Sequence, residues 1–269
     1  MTAVKLFFLL FTLVFIILGA GSSLSLANVA IKYKVYQKGY FFENSDGQCV
    51  EDSLKIPKVD LCGCEADIVY PVFSGLRNLN AQNKLNDLFA IDAKKQGCDG
   101  IQYNQPKELK GWHVTEKQRK FKQVFSSGNY VSLLQEAWEY GAGAAHGANW
   151  VVGTIVDIKS GYILTIPKIF GENGTLYGEL NQYLEDKLNE TDGTYYHEYK
   201  QNGQSFPLSN KKLVTPDKCD GCSIYVSENG NLMISFKPYT VASGAVGVVD
   251  VEIPKKFVIN KELSDILRE

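Results

Sequence analysis

Runs of alternating apolar and polar residues fill the middle of the chain and limit what it can become. Lys117 to Phe125 (KQRKFKQVF) is followed by Ser-Ser-Gly-Asn and then by Tyr130 to Tyr140. That is a hairpin pattern with a loop of about four residues. Beyond a connection rich in Gly and Ala, Trp150, Val152, Thr154, Val156 and Ile158 alternate along a third strand. A period of two sends successive side chains to opposite faces, so each run has one face to bury and pairs with neighbours. Ile31 to Tyr36 alternates in the same way, and Ile68 to Phe73 is a short apolar run whose Pro71 predicts an edge strand. Ile224 to Ser227 and Leu232 to Phe236 flank Glu228-Asn229-Gly230-Asn231, a strong short-range hairpin signal. Val246 to Ile253 is one more strand, stopped by Pro254.

Helical spacing interrupts the strands twice. Asn78 to Gln96 places Leu85, Leu88 and Phe89 at i, i+3 and i+4, and Gly97 is a natural stop. Leu176, Leu180, Tyr183, Leu184 and Leu188 give the clearest amphipathic pattern in the chain. Lys261 to Leu267 reads as a short closing helix. Consecutive hairpins with one main helix inserted in each half predict the α+β class with antiparallel sheets. Regular βαβ alternation is missing, which argues against a doubly wound sheet. The 269 residues have room for one large domain or two small ones. The expected division is 28–128, an N-terminal strand–helix–strand domain, and 129–269, a C-terminal α+β domain.

The first 27 residues read as an address. Lys5 is the only charge before Lys32, and Leu6 to Ala20 (LFFLLFTLVFIILGA) is almost purely apolar. Ser25-Leu26-Ala27 fits a small-x-small cleavage site, so 1–27 is expected to be a secretory signal peptide. The alternative is an uncleaved anchor, because no charge interrupts Leu6 to Ile31. Either way the mature chain lies outside the cytoplasm, periplasmic or extracellular. The formal net charge of −2 argues against a general nucleic-acid binder, and three His and two Met leave little for a metal-rich site. No cofactor, metal or catalytic set is expected.

Export changes how the six cysteines are read. Cys49, Cys62, Cys64, Cys98, Cys219 and Cys222 all follow the leader, and an even count in an oxidising compartment predicts disulfides of open connectivity. Cys219-Asp220-Gly221-Cys222 is a CxxC. A redox CxxC opens a helix, where the dipole lowers a thiol pKa. This one leads into a strand-like run, so a structural loop disulfide is the leading reading, with zinc and redox roles as alternatives.

Gly141-Ala142-Gly143-Ala144-Ala145-His146-Gly147 is the most unusual stretch. It resembles a dinucleotide loop only superficially, because a strand and not a helix N-terminus follows it. His146 acting as a base would need a carboxylate, and Glu136, Glu139 and Asp157 are near in sequence. Trp138-Tyr140 and Tyr195-Tyr196 are candidate aromatic surfaces for sugar stacking. Asn173-Gly174-Thr175 and Asn189-Glu190-Thr191 match glycosylation sequons.

Several segments, taken in order, resemble a known pair of bacterial extracytoplasmic domains. Asp67 to Leu76 (DIVYPVFSGL), then Gln82 to Leu88, is similar to the first, a strand reading YPxxSGL followed by a helix. Glu139 to Asn149 (EYGAGAAHGAN) is similar to the "Y-x-GGAHGN" loop of the second, with Ala142 and Ala145 expanding it. Asp157 to Gly161 with Leu164 and Ile169-Phe170, and Leu232 to Tyr239 with Gly244 to Pro254, resemble its later pieces. Ala242-Ser243-Gly244 lacks the second Tyr of that ending, and the cysteines are extra to the pattern. This is the domain pair of the lysozyme-sensing anti-sigma factor RsiV and of the N-terminal region of the peptidoglycan deacetylase PdaC. The resemblance implies a non-enzymatic cell-envelope binding module, without the deacetylase's catalytic domain or the anti-sigma factor's cytoplasmic segment. Its expected ligand is peptidoglycan or a wall-directed protein such as lysozyme. Its candidate ligand-binding residues are Glu139, Tyr140, Gly143, His146, Asn149 and Tyr239. The alternative is an enzyme acting on cell-wall polymers, using His146 with a nearby carboxylate. No nucleic acid is expected, and a membrane only if the leader stays uncleaved.

Overall fold

The computed structural model describes residues 30–38, 41–43, 49–51, 62–97, 113–141, 146–190, 198–201, 204–207 and 212–268. The leader, Cys98, Gly143 and Tyr195-Tyr196 lie outside the described residues. Among those described, no helix is long and apolar enough to cross a membrane.

A six-stranded sheet organises the fold. Its strands are β1 (Ala30–Lys38), β4 (Cys62–Ser74), β5 (His113–Ser127), β6 (Tyr130–Tyr140), β7 (Ala148–Asp157) and β8 (Tyr162–Ile163), in the spatial order β1-β4-β5-β6-β7-β8. The pairs are antiparallel except β4–β5, which runs parallel from Cys62 opposite His113 to Val69 opposite Lys120. The α+β class holds, with one βαβ unit set into hairpins. Helix α1 (Leu79–Gln96) supplies the crossover that a parallel pair requires.

Pro71 lies on a strand with neighbours on both sides, β1 and β5. It is tolerated because the pairing with β5 ends at Val69, so its missing N–H falls where only β1 is paired, opposite Tyr33. The β5–β6 turn is tighter than expected, with Ser127 already opposite Tyr130.

Alternation along β6 sends side chains to two cores. Val131 and Leu133 pack with Phe73, Leu85, Phe89, Phe121 and Val156 beneath α1. Tyr130 faces the other way, into a larger core formed with α2 (Ile166–Phe170), α3 (Gly174–Asn189) and a three-stranded antiparallel sheet. That sheet has the order β11-β12-β13, from Cys222–Val226, Leu232–Phe236 and Val249–Ile253. Ser132 joins it to the larger sheet, its hydroxyl accepting from the backbone N–H of Val226 at 2.9 Å. Tyr177, Leu180, Leu184 and Leu188, spaced at three and four, bury the inner face of α3. The last helix, α4 (Lys261–Ile266), is capped by the Asn260 side chain. Two short hairpins complete the strands, β2 (Phe41–Glu43) with β3 (Cys49–Glu51), and β9 (Glu198–Gln201) with β10 (Gln204–Pro207).

Candidate functional site

The start of β5, the end of β6 and the start of β7 meet at one end of the large sheet, because antiparallel register places Lys117 opposite Glu139 and Glu139 opposite Ala148. The Gly/Ala-rich loop joins β6 to β7 there. Arg119, opposite Ala137, is only 5% exposed. Its guanidinium donates to the carbonyls of Gln118 (2.9 Å) and Trp138 (2.8 Å) and to Glu139 Oε2 (2.9 Å). Burial pushes the Arg119 pKa down, and the Glu139 carboxylate works in the opposite direction. The guanidinium also lies 4.7 Å from the centre of the Trp150 ring. Lys237, just beyond β12, comes within 5.8 Å of the same ring. Trp150 thus joins the Glu139–Asn149 loop region to the segment that carries Tyr239.

The aromatic side chains are held by glycines. The Trp138 and Tyr140 rings stack at 6.4 Å with an interplanar angle of 14°. A Cβ on Gly147 would stand 2.5 Å from Trp138 Nε1, so only glycine lets the loop lie on that ring. Tyr239 is 63% exposed and has a φ of 66°, rare for a residue with a Cβ. Its ring lies against Gly244, where a Cβ would stand 2.1 Å from it.

The site residues expected from sequence fall into three groups. Glu139 is half-buried and tied to Arg119, with Lys117 Nζ at 4.0 Å from its other oxygen. Tyr140 is half-buried in its stack, while His146, Asn149 and Tyr239 are exposed. Gly143 is outside the described residues. His146 Nδ1 lies 3.0 Å from the Gly147 carbonyl oxygen. The carboxylates proposed to serve it have other partners. Glu136 lies 3.9 Å from Lys122, and Asp157 Oδ1 accepts from the backbone N–H groups of Lys159 and Ser160. Among the described residues no group of three His, Cys, Asp or Glu is placed to hold a metal ion.

Cys219 and Cys222 form a disulfide with a Cα–Cα distance of 5.2 Å. Cys49, Cys62 and Cys64 lie on strands β3 and β4. Sequence reasoning did not single out Arg119, Trp150 or Lys237 as site residues. Arg119 and Trp150 sit at alternating positions of a strand, where half-buried structure is the ordinary expectation.

Residues 168–256 match the family described as a protein of unknown function, DUF3298. The chain is similar to that family over those residues. It is 22% identical over 197 residues to the anti-sigma-V factor RsiV of Bacillus subtilis (strain 168), an alignment covering 72% of this chain. The chain spans 64% of the length of that relative. Two solved structures of DUF3298 proteins share the fold. One, from Bacteroides fragilis NCTC 9343, has a TM-score of 0.51 and 14% identity, covering 89% of this chain and 98% of the other. The second, from Pseudomonas aeruginosa PAO1, has a TM-score of 0.50 and 11% identity, covering 87% and 96%. The DUF3298 match takes in α3, the β11–β13 sheet and the Tyr239 turn. The loop from Glu139 to Asn149 precedes it in sequence.

Proposed function

We propose that this protein is a non-enzymatic binding module that works outside the cytoplasm and recognises a wall-directed protein such as a lysozyme, or peptidoglycan itself. Its recognition surface is the sheet end bearing the loop from Glu139 to Asn149 and the turn around Tyr239. The observation that carries this reading is Trp150. It draws Arg119 and Lys237 to one ring and so joins two segments that lie far apart in the chain. An aromatic ring held between two cations, with the Glu139 carboxylate bound to one of them, and the exposed Tyr239 ring on the joined turn suit recognition by packing and hydrogen bonding. Catalysis by His146 would need a base or nucleophile pair, and its contact runs to its own loop. The leader, with Lys5 before Leu6 to Ala20, supports export and is followed by a processed N-terminus near residue 28.

The test is retention of the folded protein by immobilised lysozyme and by purified peptidoglycan at moderate salt. Retention by either supports the reading, and retention by neither overturns it. The mass of the mature N-terminus checks export separately. Turnover of a wall polymer that His146→Ala abolishes without lowering the melting temperature would replace binding by catalysis.

A further inference from the structure

The CxxC disulfide is tied to the turn that carries Tyr239. Gly221 lies inside the four-residue ring that the disulfide closes, with a φ of 62°. Its carbonyl oxygen accepts from the backbone N–H of Lys237 at 2.9 Å and from the Thr240 hydroxyl at 3.3 Å. The Thr240 N–H in turn donates to the Lys237 carbonyl at 3.2 Å, closing residues 237–240 into a turn. The approach is close, since a Cβ at Gly221 would stand 2.4 Å from Thr240 Oγ1. The upstream loop is bound to itself, through Asp220 N–H to the Leu213 carbonyl and Thr215 N–H to the Lys218 carbonyl. The ring is therefore the joint between that loop and the turn holding Lys237 and Tyr239.

The two cysteines are also reachable. Both are half-buried, and both line an open groove of about 540 Å³ with Ile163, Pro167, Pro216 and Asp217 among its walls. A reagent entering the groove meets both residues of the disulfide.

We propose that Cys219–Cys222 is a thiol-exchange site that clasps the recognition surface, opened by a dithiol that enters the groove. A thiolate of the dithiol attacks one cysteine sulfur. A mixed disulfide forms, the Cys219–Cys222 bond breaks, and the other cysteine leaves as a thiolate that takes up a proton. The reagent's second thiol then attacks its own sulfur in the mixed disulfide, and the remaining cysteine leaves and is protonated. The dithiol is oxidised to a disulfide, and two electrons and two protons reach the protein. With the ring open, Gly221 is no longer held in place and the 237–240 turn loosens. The significance for ligand binding rests on the function proposed above, but the coupling itself does not.

The experiment is hydrogen exchange on the full chain, with dithiothreitol as the dithiol and alkylation followed by mass mapping to report which cysteines are reduced. The expected result is native-state labelling of Cys219 and Cys222, with exchange of the Lys237 and Thr240 amides faster by about tenfold or more and the α1 amides unchanged. The C219S/C222S variant should show the same local change without reductant. Should that variant fail to fold, reduced wild type alone decides. Unchanged protection at Lys237 and Thr240 with both cysteines labelled overturns the proposal. So does loss of protection spread equally over α1, or failure of dithiothreitol to reach the pair in the folded protein. A protein that shows the coupling but is retained by neither lysozyme nor peptidoglycan overturns the binding reading alone.

Discussion

Two tyrosines show how environment assigns roles to one side chain. Tyr239 is 63% exposed and stands on a left-handed backbone, a conformation costing about 1 kcal/mol or more for a residue with a Cβ. An exposed ring held at that cost is a suitable anchor for a partner. Tyr239→Ala is expected to weaken binding to the retained ligand by about tenfold or more, with the melting temperature nearly unchanged. Titration calorimetry and a thermal melt check the two halves. Tyr225 is the opposite case, buried in β11 with its hydroxyl donating to Asp250 at 3.2 Å. Burial first, and the Asp250 charge second, raise its pKa well above the ordinary 10.0. The unfolded chain then ionises at lower pH than the folded one. The resulting stability is complete below about pH 10 and is lost as pH rises from there toward the folded value. Tyr225→Phe is expected to flatten that alkaline decline in denaturation curves. The decline should not vanish, because the pKa values of Tyr130, Tyr177 and Tyr183 are raised in the same direction, chiefly by burial.

Elements are fixed by their ends as much as by their faces. Asn78 starts α1 by accepting from the N–H groups of Asn80 and Ala81, and its own amide donates to the Lys159 carbonyl beyond β7. One residue therefore caps the helix and ties it to the end of the sheet. Asn78→Ala is expected to destabilise the protein by about 1–2 kcal/mol, read as a lower midpoint in urea with an unchanged slope. The spacing of Leu85 and Phe89 and the Gly97 stop made α1 legible as a helix, and its bounds are Leu79–Gln96. The direction of the strand after it was not legible. Alternation reports which face a strand buries, but it is the same for parallel and antiparallel partners. The β4–β5 pair is parallel because α1 carries the chain back across the sheet, a matter of connection and not of local pattern.

At the scale of the molecule, one sheet serves two cores. Strands β5 and β6 form a hairpin across residues 127–130, and β6 gives Val131 and Leu133 to one core and Tyr130 to the other. Cutting the chain at residue 128 would split that hairpin and leave both pieces with open sheet edges. Neither 28–128 nor 129–269 alone is expected to give dispersed amide spectra, whereas the joined chain is expected to unfold in a single cooperative transition. Two independently folded pieces in the spectra would contradict this. The sheet end proposed for recognition depends on the same continuity, since Arg119, Glu139 and Trp150 come from β5, β6 and β7 in turn.

The sequence by itself determined the long alternating strands, the two amphipathic helices and several places where glycine and asparagine turn the chain. These follow from side-chain periodicity and backbone stereochemistry, which act within a few residues. Only the tertiary structure decided that Arg119 lies buried among carbonyls, that Lys237 reaches Trp150, and that Gly221 holds the Tyr239 turn. Those contacts join residues separated by about 16 to 90 positions, and their partners are chosen by register and packing, which no local pattern encodes.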